Sequence, residues 1–164
     1  MTTSATIGAY LPAAKIGNNN YVYVWSTVGI GLTGVPIGFY GIPLSVNYFG
    51  IASVQNIAAS SNNGKFSGTF KTIPVIQAYN IDAKIDDGSP TTGNVLAIFM
   101  NNGPQWVNGS TNFDITTAVA PLTGGVNGSG TCFNNGGVSG APWVYSTSSK
   151  GGASPACALS FIFQ

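Results

Sequence analysis

The clearest periodic signal along this chain is helical. From Val75 the apolar positions Val75, Ala78, Ile81 and Ile85 recur at intervals of three and four, with Ile76, Tyr79 and Ala83 beside them. That spacing predicts an α-helix with one apolar face. Thr72 stands where an N-cap is expected, and Pro74 falls just inside the first turn, where a missing N–H costs nothing. Gly88 supplies a stop and Pro90 opposes continuation. Elsewhere the period is two. Tyr21 to Trp25 follows the turn cluster Asn18-Asn19-Asn20 and predicts a strand, with Tyr21, Tyr23 and Trp25 on one face and Val22 and Val24 on the other. The aromatic row suits either a buried sheet face or a sugar-stacking platform, and the enrichment of aromatics in strands favours the first. Tyr48 to Ala59 reads as a strand running into irregular structure, and Phe66 to Lys71 as a short strand after the turn Ser60 to Gly64. The unbroken apolar run Val95 to Met100 reads as a central strand, ended by Asn101 to Pro104. Trp143 to Ser148 and Ala156 to Phe163 read as the last strands. In the second, Leu159, Phe161 and Phe163 alternate with Ala158, Ser160 and Ile162.

One long apolar run fits neither period. No charge falls between Ile16 and Gly64, and Val28 to Val46 reads VGIGLTGVPIGFYGIPLSV. Its length is that of a bilayer span. Pro36, Pro43 and five glycines argue against a helix there. The stretch reads as a buried Gly-rich loop or short strands, with an apolar patch used for assembly as the alternative.

Composition narrows the chemistry. The chain has 164 residues, enough for one domain with a substantial core. Only 5% of residues are charged, against about 25% in an average soluble protein. There is no His, Glu or Arg, so a neutral general base, an imidazole ligand and a Ser-His-Asp or Cys-His arrangement are all missing. A carboxylate pair would have to come from Asp82, Asp86, Asp87 and Asp114, and adjacent Asp86 and Asp87 do not face each other across a substrate. Enzymatic acid–base chemistry is therefore not expected. Five scattered lysines and a net charge of +1 make no phosphate-tracking patch, which argues against nucleic acid. Abundant Gly, Asn, Ser and Thr favour a β-rich, loop-rich fold. With the helix expected from Val75, the fold class expected is α+β and β-rich, an antiparallel sheet with one short helix.

Cys132 and Cys157 are the only cysteines. Two thiols without His make a poor zinc site, and their separation suits a disulfide that pins the last strand; two free buried thiols are the alternative. The triplets at Asn108 and Asn127 match the N-glycosylation pattern, a weak signal in so Asn/Gly/Ser-rich a chain. Met1 to Thr6 lacks the basic and apolar regions of a signal peptide.

Three of the four acidic residues, Asp82, Asp86 and Asp87, gather at the end of the expected helix, with Lys84 among them. The helix dipole disfavours anions at that end by about 0.3–1 kcal/mol, so something must offset it. One reading is turn chemistry, the Asp side chains accepting N–H bonds from Ser89 to Gly93. The other is a calcium ion held by Asp86, Asp87 and nearby carbonyls. Calcium prefers more carboxylates than are present, which favours the turn.

The segment Ile81 to Ala97, IDAKIDDGSPTTGNVLA, resembles a pattern in the globular heads of bacterial prepilin-like proteins, the type IV pilins and type II secretion pseudopilins. Asp82, Lys84, Asp86, Asp87, Gly88, Pro90 and Gly93 carry the likeness. Tyr10 to Ala13, Gly17 to Ser26, Asn47 to Val54 and Cys157 to Gln164 are similar more weakly. The resemblance implies a pilin-like globular head, residues 1–164, with 1–9 as a remnant of the linker from a missing N-terminal apolar helix. It implies a non-catalytic filament subunit whose partners are homologous subunits. The chain would face the periplasm at the inner membrane before assembly and the medium afterwards. The membrane would be met only through the missing helix, and heads of this kind often carry a disulfide near the C-terminus. Major pseudopilins also bind calcium in their heads. The rival readings are a β-sandwich adhesin or carbohydrate-binding module stacking ligands on Trp106 and Trp143, and a jelly-roll shell protein.

Overall fold

The computed structural model describes residues 7–26, 46–54, 56–59, 64–67, 72–100, 104–106, 131–136 and 141–163. Most of the apolar stretch from Val28, both glycosylation triplets and Asp114 lie outside these residues. A 3-10 turn, Ile7–Ala9, precedes strands β1 (Asn20–Ser26), β2 (Asn47–Ser53), β3 (Asn56–Ala59), β4 (Gly64–Ser67) and β5 (Ile73–Pro74). The helix α1 (Val75–Ile85) follows, then β6 (Val95–Leu96), β7 (Ile98–Met100), β8 (Pro104–Trp106), β9 (Phe133–Asn134) and β10 (Val144–Tyr145). A 3-10 turn at Ser149–Gly152 leads to β11 (Pro155–Cys157) and β12 (Leu159–Phe163). The architecture is α+β and β-rich. Among the described residues, no helix is long and apolar enough to cross a membrane, which says nothing of a β-barrel.

Among the described residues the main sheet has four strands in the order β1-β2-β12-β6, antiparallel at every contact. Two-residue alternation decides which side chains enter the core. Trp25 lies opposite Tyr48, and their rings stack with centroids 4.2 Å apart. Gly50 lies between Tyr23 on β1 and Ser160 on β12. Trp25 reaches across β2 and donates its indole N–H to Ser160 Oγ at 3.1 Å, and Ser160 donates to the Ile98 carbonyl at 2.8 Å. One polar chain thus ties β1, β12 and β7 together inside the core. Tyr23 and Trp25 are buried, so they are core residues rather than a ligand platform. The opposite face carries exposed Val24 and Phe49, the latter stacked on Phe163 at 4.0 Å.

Four sequence expectations are corrected. Thr72 does not cap the helix: its hydroxyl donates to Asn20 Oδ1 at 2.8 Å, and Pro74 occupies the N-cap position. Ile73 and Pro74 instead pair with β11, and the first helical N–H, that of Val75, finds the Ser154 carbonyl at 3.1 Å. A tertiary acceptor has replaced the side-chain cap. The run Val95 to Met100 is not one central strand. The Ala97 N–H turns to the Pro90 carbonyl, which breaks the ladder, leaving β6 at the sheet edge and sending β7 to pair with β8. Leu96, Ala97 and Ile98 are all buried, so hydrophobicity alone could not reveal the break. Likewise Trp143 to Ser148 holds only the two-residue β10, and a break at Ala158 divides β11 from β12.

Among the described residues the Tyr48 hydroxyl is buried without a hydrogen-bond partner, and burial pushes its ionisation well above the ordinary tyrosine range. An unsatisfied buried donor costs about 1–3 kcal/mol. Tyr48→Phe, which keeps the stack on Trp25, is therefore expected to stabilise the fold by about 1 kcal/mol in urea denaturation. A loss of stability would mean that the hydroxyl is satisfied in solution.

Candidate functional site: the acidic turn

Helix α1 ends at Ile85, and Gly88 follows with φ of +73°, the left-handed geometry that lets the chain reverse. The chain then loops through Pro90 and enters β6 at Val95. Asp82, Asp86 and Asp87 meet at the centre of this loop, each offering an oxygen within 4.8 Å of the others. Asp82 is fully buried, Asp86 half-buried and Asp87 exposed. Lys84 is exposed on the helix, in its last turn, where a cation complements the dipole.

Each carboxylate organises a different part of the turn. Asp82 Oδ1 accepts the Gly88 N–H at 3.0 Å, closing the turn back onto the helix, while Oδ2 accepts the Tyr145 hydroxyl at 2.8 Å. That second bond joins α1 to β10 across 63 residues. Asp87 accepts the Ser89 N–H at 2.8 Å and the Thr92 hydroxyl at 2.6 Å. Asp86 Oδ2 accepts the N–H groups of Asn94 and Val95, the latter at 2.8 Å, and Oδ1 faces the Asn94 amide at 3.5 Å. All six carboxylate oxygens thus have a protein donor. Backbone N–H groups of Gly88, Ser89, Asn94 and Val95 point inward and supply the positive potential that three anions at a helix C-terminus require. Backbone donors also fall outside the expected Ser89 to Gly93 on both sides, at Gly88, Asn94 and Val95. Pro90 is buried and returns its carbonyl to the Ala97 N–H at 2.8 Å. Gly93, φ +75°, passes directly over Asp86, so a Cβ there would overlap the carboxylate.

The electrostatics single out Asp82. Burial raises its pKa from 3.8 to about 6; hydrogen bonds from Tyr145 and Gly88 oppose this, and the charges of Asp87 and Asp86 reinforce it. Burial, then Asp82, pushes Tyr145 far above the ordinary tyrosine range. Asp82 and Asp86 are four residues apart, about one helical turn, so their proximity follows from chain spacing. What spacing did not reveal is Tyr145, which comes to Asp82 only through the packing of β10 on α1. Tyr79 meets Tyr145 edge-on at 6.0 Å.

The other sequence candidates lie apart from this turn or outside description. Cys132 and Cys157 form a disulfide, both sulfurs buried, and no free cysteine remains. Beside it Thr131 and Asn134 both donate to Ser146 Oγ, at 2.9 and 2.8 Å. Trp143 is half-buried with its ring edge-on to Phe133 at 5.5 Å. Trp106 lies on β8, and its side chain is outside the described set. No protein-family model, no curated protein and no solved structure matches the chain.

The turn's stability rests most on Asp86, because it alone gathers the two N–H groups that open β6. Asp86→Ala strands both, and the loss expected is about 2 kcal/mol in urea denaturation, while Asp86→Asn, which keeps an acceptor, costs about 1. Equal losses in the two variants would show that the charge, not the acceptor geometry, matters.

Proposed function

We propose that this chain is the globular head of a prepilin-like subunit, of the type IV pilus or type II secretion pseudopilus kind, that serves a filament structurally and catalyses nothing. The observation carrying this reading is the Ile81 to Ala97 segment. Its Asp82, Asp86, Asp87, Gly88, Pro90 and Gly93 each have a separate part in turning a helix into a strand. A motif built of such parts marks an architecture rather than a reaction. Three of the chain's four carboxylates accept hydrogen bonds within that turn, which supports the non-catalytic reading. The disulfide and the antiparallel sheet with one short helix are compatible with a pilin-like head in the periplasm and then at the cell surface. Its partners would be homologous subunits. The adhesin alternative has less support, since Tyr23 and Trp25 are buried and Trp143 packs on Phe133.

The test is to follow the product of the whole gene in its source cell. The reading expects a leader cleaved ahead of an apolar helix, and antibody against this domain labelling sheared surface filaments. A native terminus at Met1 with no upstream helix, or absence from filaments, would overturn it.

We further propose that the turn is held by its own donors rather than by calcium. The expected result is an unchanged melting temperature in millimolar calcium and in excess chelator, and no heat of binding by titration calorimetry. A calcium-dependent rise in melting temperature would assign Asp86 and Asp87 to a metal site.

A further inference from the structure

We draw no further inference here: the strongest candidate, the apolar outer face of the four-stranded sheet where Val24 and Phe49 are exposed and Phe49 stacks on Phe163, carries none because nothing among the described residues shows what covers it.

Discussion

Removing the Cys132–Cys157 bond should lower the stability of this domain by about 3–4 kcal/mol, the entropy released when a loop of this size is uncrosslinked in the unfolded chain. The two cysteines are 25 residues apart. The bond joins the segment entering β9 to the end of β11, which Ala158 alone separates from the central strand β12. The β9–β10 pair that it anchors is only two residues long on each side, too short to stand alone. Its other anchors are the Ser146 N–H on the Cys132 carbonyl, the Thr131–Ser146–Asn134 hydrogen bonds and the Tyr145–Asp82 contact. Urea denaturation of the Cys132→Ala/Cys157→Ala double variant against the oxidised parent measures the loss. Mass before and after reduction checks that the parent is oxidised. A loss under about 1 kcal/mol would mean that those polar contacts hold β9 and β10 without the crosslink.

Raising the pH from about 4 to about 7 should weaken the fold through Asp82, by up to about 3 kcal/mol. In the folded state this carboxyl keeps its proton until about pH 6, against 3.8 ordinarily. Between those values the native state binds more protons than the unfolded one, so stability falls as pH rises. The contribution is fully present below about 3.8 and lost through about 6. This is the reverse of the usual carboxylate, whose native partners hold it ionised. The cause is position: Asp82 is buried, and Asp86 and Asp87 add negative charge that the Tyr145 and Gly88 donors only partly offset. Urea denaturation of wild type and Asp82→Asn across that range isolates the effect. The difference between them should shrink as the pH falls. A carboxyl-carbon NMR titration of the wild type reads the same group should the variant not fold. A wild-type stability that rises over this range as steeply as in Asp82→Asn would show that Asp82 is ionised throughout.

Much of the local structure was legible in the residues. The helix lies where the spacing of Val75, Ala78, Ile81 and Ile85 puts it, and the strand at Tyr21 to Trp25 lies where its alternation does. These elements follow from periods of 3.6 and 2, which are properties of neighbouring residues. The disulfide is the pairing that two lone cysteines in a turn-rich tail suggested. The acidic turn could be read as Asp chemistry because all its donors except Tyr145 lie within nine residues of their acceptors.

The disulfide aside, what the chain did not disclose was decided by partners distant in sequence. The Val75 N–H is satisfied by Ser154 rather than by a capping side chain. β12, not the apolar run at Val95, became a central strand, because β2 and β6 flank it on both sides. Trp25 bonds to Ser160, and Asp82 to Tyr145, across separations of 135 and 63 residues. Local sequence determined the elements and the turn, since dihedral preference, side-chain alternation and short-range hydrogen bonds are set within a few residues. Tertiary structure decided strand order, because that depends on which distant strands pair, and most of the proton affinity of Asp82, because burial by distant groups is its largest cause.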